Sequence, residues 1–238
     1  DAMATTIWGT SSSWTLTALP LFVWMGEILF RTKLSENLFK GLSPWMQKLP
    51  GGLIHVNVVG CALFAAISGS SAATVATVGK MSIPELRKRN YPEKILLGSL
   101  AGSGTLGLLI PPSIILIIYG VAVQESIAKL FIAGIIPGIM IALIFMSYVI
   151  IWSLINKKSM PKIIEEYSFF EKIKRSKQLL PVIILILAVI GSIYTGIATA
   201  TEAASLGVVG ALILSYFQKS LTLKTFKSTL LGATKTSC

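Results

Sequence analysis

Two short stretches of this sequence carry residues able to bind an ion or a small polar ligand. The first is Ser68-Gly69-Ser70-Ser71, three hydroxyls and a glycine inside an otherwise apolar run. The second opens as Gly102-Ser103-Gly104-Thr105-Leu106-Gly107 and closes, three apolar residues later, with Pro111-Pro112. Proline donates no backbone N–H and crowds the preceding turn, so carbonyls near residues 107 and 108 lose their helical donors. Freed carbonyls and serine hydroxyls are neutral, hard oxygen ligands, suited to a small cation such as sodium. Helix segments that restart after such breaks also turn N–H groups toward an anion.

The elements around these stretches are apolar. The chain has 238 residues, of which 53% are hydrophobic and 13% charged, and its mean hydropathy is +0.76. Soluble domains carry about 25% charged residues, so an ordinary soluble enzyme is excluded. Disorder is excluded too, because it needs low hydrophobicity. A spanning helix takes about 20 apolar residues. Six apolar runs stand out, at 14–30, 52–79, 95–123, 130–155, 179–197 and 203–217. The fold class is therefore an all-α integral membrane protein, with the lipid bilayer as its first partner.

The formal net charge is +11, and the basic residues sit in short connectors between the runs. That is the positive-inside pattern, and no nucleic-acid partner is needed to explain it. Cys61 lies inside a run and Cys238 is the last residue, so no disulfide framework is expected. The single histidine, His55, has no cluster of zinc ligands around it. The first ten residues have no basic start and do not read as a signal peptide. The chain opens on Asp1 and stops just after a new apolar stretch begins; it reads as an internal fragment.

Counting sides constrains the topology. The connectors at 31–51, 80–94, 156–178 and 218–227 are basic, while 124–129 and 198–202 are nearly neutral. If all six runs crossed, 31–51 and 80–94 would lie on opposite sides, against the positive-inside rule. Re-entry of 52–79, with its tip at 68–71, puts every basic connector on the cytoplasmic side and leaves five true spans. Non-helical backbone at membrane depth must be buried in protein or line a cavity. Small residues and prolines also occur in ordinary packed membrane helices; two breaks together, one at a hairpin tip, favour a site near the midplane of a secondary transporter.

Other residues have simpler readings. Leu34, Leu38, Leu42, Trp45, Met46 and Leu49 recur at helical spacing, as in an interfacial amphipathic helix that Pro44 is expected to kink or end. Glu27 lies one turn from Arg31 and is read as its ion-pair partner rather than a functional intramembrane acid. Glu202 is read as an N-terminal helix cap, His55 as structural, and Trp14, Trp24, Trp45 and Trp152 as interfacial or packing residues.

Several segments resemble the large membrane subunit of the tripartite ATP-independent periplasmic (TRAP) transporters. They are Gly51-Gly52-Leu53-Ile54-His55-Val56-Asn57-Val58, Ile67-Ser68-Gly69-Ser70-Ser71-Ala72 and Ile83-Pro84-Glu85-Leu86-Arg87-Lys88-Arg89-Asn90-Tyr91. Gly104-Thr105-Leu106-Gly107-Leu108-Leu109-Ile110-Pro111-Pro112-Ser113 and Lys129-Leu130-Phe131-Ile132-Ala133-Gly134-Ile135-Ile136-Pro137-Gly138 continue the match. Thr199-Ala200-Thr201-Glu202-Ala203-Ala204 is similar to a Thr-Pro-Thr-Glu-Ala-Ala element, with Ala200 in place of proline.

The resemblance implies an elevator-type fold with inverted repeats, each with a re-entrant helical hairpin and an unwound helix. It implies sodium-coupled import of an organic anion, a carboxylate or sugar acid, across a bacterial or archaeal cytoplasmic (inner) membrane. Sodium would be transported cargo, not a prosthetic group. A periplasmic substrate-binding protein and a small membrane subunit would be partners. Carried onto this sequence, the first sodium site falls on Ser68 and Ser71 with the backbone oxygens of Gly107, Ile110 and Pro112. Asn57, Ser70 and Thr105 would line the substrate cavity. Gly102-Ser103-Gly104-Thr105 stands where relatives carry a Ser-Ser-Thr run, which leaves hydroxyl ligands there open. The implied organisation is a scaffold span and interfacial helix at 1–51 and a transport domain at 52–123. A span with a basic connector follows at 124–178, then the start of a truncated second repeat at 179–238.

Three other functions compete with this one. A stand-alone sodium–carboxylate symporter of similar hairpin architecture would work without a binding protein. A membrane enzyme would need a catalytic constellation, but the acids are scattered and neither G-x-S-x-G nor H-E-x-x-H occurs. A non-transporting scaffold would call for unbroken helices.

Overall fold

The computed structural model of the chain describes Thr5, Trp8, Gly9 and residues 12–32, 34–161 and 167–237. Among the described residues there are eleven α-helices and no strands. We number them α1 Ala18–Phe30, α2 Leu34–Met46, α3 Ile54–Ser68, α4 Ser71–Lys88, α5 Glu93–Gly104 and α6 Ile114–Val123. The rest are α7 Ile127–Ile155, α8 Phe169–Ser176, α9 Leu180–Tyr194, α10 Ala200–Phe217 and α11 Leu223–Ser237. A tight helical turn, Trp14–Thr17, leads into α1, and another, Thr105–Leu108, follows α5.

The core is built on α1. Phe22, Met25, Ile28 and Leu29 are fully buried and belong to one cluster with Phe64 and Ile67 of α3 and Phe131 of α7. The rings of Phe22 and Phe131 meet edge to face, with centroids 6.3 Å apart. α10 presents Ala203, Ala204, Gly207 and Ala211 as buried residues, and a β-carbon on Gly207 would collide with Met25 Sδ. Small residues let two membrane helices approach closely, which is how α1 and α10 pack.

The outer faces are apolar. Ile136, Leu143, Ile151 and Ile155 of α7, and Ile184 and Leu187 of α9, are all exposed. In water such a surface would be costly; in lipid it is the ordinary outside of a bundle. Among the described residues, two single helices, Ile127–Ile155 and Ala200–Phe217, are long and apolar enough to cross a membrane. Phe169–Ser176 and Leu180–Tyr194, which meet at 54°, pass the same test together. The run at 95–123 forms two short helices on either side of its breaks, and the Pro111-Pro112 peptide bond is cis.

Two sequence expectations need correcting. The stretch 80–94 is not a simple connector, because α4 runs on to Lys88. Ser82 and Leu86 are buried there, and Arg87 and Lys88 sit in the last turn, where cations favour the helix dipole. Pro44 does not end α2, which continues to Met46 with Pro44 buried inside it. Neighbouring elements can re-satisfy the backbone groups that a proline frees.

The base of the α3–α4 pair is pinned by the residues that follow it. The Leu53 N–H donates to the Tyr91 hydroxyl at 3.1 Å. Burial, the largest influence, pushes the Tyr91 phenol above its ordinary pKa and keeps it a neutral acceptor.

Candidate functional site

The tip of the α3–α4 hairpin follows from its glycine and hydroxyls. Gly69 is left-handed, with φ 59°, and closes α3 through its N–H on the Ala65 carbonyl. Glycine enters this region without steric cost. Ser70 is extended and caps α4, its Oγ accepting from the Ala73 N–H at 3.4 Å. Thr74 Oγ1 lies 2.7 Å from the Ser70 carbonyl and 2.9 Å from Ser68 Oγ. Thr74 has one hydroxyl proton; with that proton on the carbonyl, Ser68 is the donor to Thr74. Ser71 Oγ is buried and has no hydrogen-bond partner among the described residues.

The break after α5 is shaped just as locally. The N–H groups of Leu109 and Ile110 both donate to the Leu106 carbonyl, at 3.0 and 2.9 Å. Ser113 Oγ donates to the Leu108 carbonyl at 2.7 Å and accepts from Leu116 N–H to cap α6. Of the two carbonyls expected to be freed, Leu108's is therefore taken.

The tip and the break are in direct contact. The Ile114 N–H donates to the Gly69 carbonyl at 3.3 Å. A β-carbon built on Gly69 would lie 2.5 Å from the Pro112 carbonyl oxygen. One built on Gly107 would lie 2.8 Å from the Ser71 nitrogen and 3.0 Å from the Ser70 oxygen. The absence of side chains at Gly69 and Gly107 is what allows this approach. Residues 56–79 and 95–123 contain no charged side chain. The junction thus offers only neutral oxygens, among them the unpartnered Ser71 hydroxyl. Such a set fits a monovalent cation better than a divalent one, which draws on carboxylates.

Ser68, Ser70, Ser71, Gly107 and Pro112 therefore meet at one junction. Ile110 is next to it in sequence and packs on α7, where a β-carbon on Gly138 would lie 2.8 Å from its Cγ1. Thr105 is exposed and donates to the Gly102 carbonyl at 2.7 Å. Asn57 lies elsewhere, about 16 Å down α3 from Ser68 at 1.5 Å per residue. It is fully buried, and its amide donates to the Leu96 carbonyl and Ser99 Oγ of α5, at 3.2 and 3.0 Å. The structure adds Thr74, Ser113 and Gly26, the last with its α-carbon against Ser68. Thr74 was legible as the next hydroxyl on the helix face of Ser71; Gly26 gave no sequence signal.

The remaining polar residues fit their structural readings. Glu27 pairs with Arg31 at 2.8 Å. Glu202 completes a capping box, accepting from the Thr199 N–H and Oγ1 at 2.8 Å each. His55 Nε2 lies 2.8 Å from the Pro50 carbonyl. Trp24 Nε1 donates to Thr229 Oγ1 and Trp45 Nε1 to Ser176 Oγ; Trp14 is exposed.

Two cavities divide the connectors between them. One of about 960 Å³ is lined by Trp14, by 124–128 of the nearly neutral connector 124–129 and by 198–202. The other, of about 600 Å³, is lined from all four basic connectors: Arg31 and Lys40, Lys80 and Arg89, Arg175, and Ser220. Neither contains the hairpin tip.

A junction of neutral oxygens between two helix breaks, inside an apolar bundle, is the arrangement of a membrane transport protein. Along residues 1–238 the chain matches the family "Tripartite ATP-independent periplasmic transporter, DctM component", and it belongs to that family. It is 35% identical to the C4-dicarboxylate TRAP transporter large permease protein DctM of Pseudomonas aeruginosa, over 91% of this chain and 50% of that protein. It is 32% identical to the protein of the same name from Rhodobacter capsulatus, over 100% of this chain and 57% of that one. It is 34% identical to the sialic acid TRAP transporter permease protein SiaT of Haemophilus influenzae, over 93% of this chain and 36% of that one. The chain spans about half the length of the DctM relatives. The family is one of membrane transporters rather than enzymes.

Proposed function

We propose that this chain contributes the first repeat and the start of the second of a sodium-coupled TRAP permease with an elevator-type fold and inverted repeats. The permease imports an organic anion that a periplasmic binding protein delivers, with a small membrane subunit as partner. The α3–α4 hairpin re-enters from the cytoplasmic side of the inner membrane, and its tip and the 107–112 break together form a sodium site. Ser71 Oγ and the Pro112 carbonyl are the ligands best supported. The Gly107 and Ile110 carbonyls and Ser68 complete the set, and Ser70 and Thr105 lie toward the substrate.

The observation that carries this reading is the close approach of Gly69 to Pro112 and of Gly107 to Ser70 and Ser71, beside a buried serine hydroxyl with no partner among the described residues. A cation would supply that partner. Re-entry is supported by the shared pocket of the 31–51 and 80–94 connectors, which a full crossing would separate by a bilayer. The substrate stays at the level of a class. The relatives are named for C4-dicarboxylates, isethionate, ectoine and sialic acid. Nothing on this half of the permease distinguishes these.

The test is cation-specific protection of the tip. Cys61 and Cys238 are replaced by serine and Ser70 by cysteine, and alkylation of the new thiol is timed in membranes. Sodium chloride slows the reaction several-fold relative to potassium or choline chloride at equal ionic strength. Equal rates in all three salts remove sodium from the junction.

A further inference from the structure

The smaller cavity has a chemistry that the sodium reading does not use. Its lining holds five cations, Arg31, Lys40, Lys80, Arg89 and Arg175, and one carboxylate, Glu85. Two of the cations are already matched, Arg31 by Glu27 and Arg89 by Glu85, each at 2.8 Å. Arg175 stacks on Tyr167, its guanidinium carbon 4.2 Å from the ring centroid, and pairs with no described carboxylate. Lys80 Nζ lies 5.8 Å from the centroid of Phe30, and neither it nor Lys40 pairs with a described carboxylate. Positive charge gathered from four separate connectors in one cavity repels itself unless an anion sits among it.

The rest of the lining says what kind of anion. Phe30, Phe39 and Met81 form an apolar wall beside the cations. The neighbouring helix α8 exposes Phe169 and Phe170 while carrying Lys172, Lys174 and Arg175, the character of a helix lying in a membrane interface. It packs on the amphipathic helix α2 through the Trp45 ring, which meets Phe169 edge to face with centroids 6.4 Å apart. The cavity therefore opens where lipid headgroups lie, with a charged floor and an apolar side. Basic pockets between membrane helices on the cytoplasmic side hold anionic headgroups.

We propose that this pocket binds the phosphate of an anionic phospholipid, held by Lys40, Lys80 and Arg175, with an acyl chain against Phe30, Phe39 and Met81. The lipid ties the end of α1 and the interfacial helix α2 to the base of the α3–α4 hairpin. The inference needs only that the chain lies in a membrane, and it stands or falls separately from the sodium site.

The experiment uses the protein purified in mild detergent and reconstituted into nanodiscs. Bound phospholipid is counted by native mass spectrometry, and the unfolding midpoint is followed in phosphatidylglycerol and in phosphatidylcholine discs. Phosphatidylglycerol is retained and raises the midpoint; phosphatidylcholine does neither. Lys40→Gln/Lys80→Gln lowers retention by about twenty-five-fold, at about fivefold per cation near the surface. Lys40→Arg/Lys80→Arg keeps it, which separates lost charge from lost folding, and Lys235→Gln on α11 leaves it unchanged. Inorganic phosphate alone is the third arm. Stabilisation by phosphate as large as by phosphatidylglycerol makes the site one for a free anion and overturns the lipid assignment. Equal retention of both lipids, or full retention by the double glutamine variant, also overturns it.

Discussion

The Pro112 carbonyl oxygen sits over the α-carbon of Gly69, at 2.5 Å from where a β-carbon would be. A residue from the break after α5 thus closes on the hairpin tip, and the contact exists only because residue 69 has no side chain. Gly69 is also left-handed, with φ 59°, so two independent constraints select glycine there.

Replacing Gly69 with alanine tests both constraints. A non-glycine residue in the left-handed region costs about 1 kcal/mol, and overpacking against a fixed carbonyl adds about 1–3 kcal/mol. Gly69→Ala should lower thermal stability in detergent accordingly. Gly191→Ala is the control, because its β-carbon meets nothing within 4 Å and its φ is ordinary; alanine there should be neutral or mildly stabilising. Equal effects at the two positions would mean that the tip is not packed on Pro112.

Ser71 and Thr74 separate a ligand from a structural hydroxyl. Ser71 Oγ is buried without a partner, so Ser71→Ala removes an unsatisfied group and should leave stability without sodium unchanged or slightly higher. Under the sodium reading it also abolishes any stabilisation that sodium adds. Thr74 Oγ1 bonds the Ser70 carbonyl and Ser68 Oγ, so Thr74→Val should cost about 1–3 kcal/mol in sodium and in potassium alike. Thermal unfolding of both variants in the two salts decides the matter. A sodium increment that survives Ser71→Ala would take the ligand role from Ser71.

Much of the site was legible in the sequence because its signals are local. Hydroxyls and a glycine at 68–71 make a tip whatever surrounds them, and prolines at 111 and 112 break a helix anywhere. What could not be read was which groups the tertiary contacts use up. The Leu108 carbonyl is freed by the prolines as expected, yet the Ser113 hydroxyl takes it. Asn57 sits in a matching motif but faces α5, where Leu96 and Ser99 satisfy its amide. The continuation of α4 to Lys88 was hidden for a similar reason: its polar end looks like a connector, and only the burial of Ser82 and Leu86 makes it part of the bundle. Charge counting works differently, because it sums over whole connectors rather than reading single groups. The four basic connectors line one cavity and the two neutral ones the other.

That division yields the sharpest prediction about topology. α3 has 15 residues, about 22 Å at 1.5 Å per residue, short of the roughly 30 Å hydrocarbon core. α4 returns from the tip and carries Lys80 and Arg89 back to the cavity that Arg31 and Lys40 also line. Single cysteines at Lys40 and Lys88, in a chain with Cys61 and Cys238 replaced by serine, should therefore behave alike. Both lie at exposed positions. In intact cells neither should react with a membrane-impermeant thiol reagent, and after permeabilisation both should. Labelling of one site but not the other in intact cells would put a bilayer between Lys40 and the end of α4, although Lys80 and Arg89 line one cavity with Lys40. The hairpin would then cross the membrane, and the sodium ligands proposed at its tip would lose their place near the midplane.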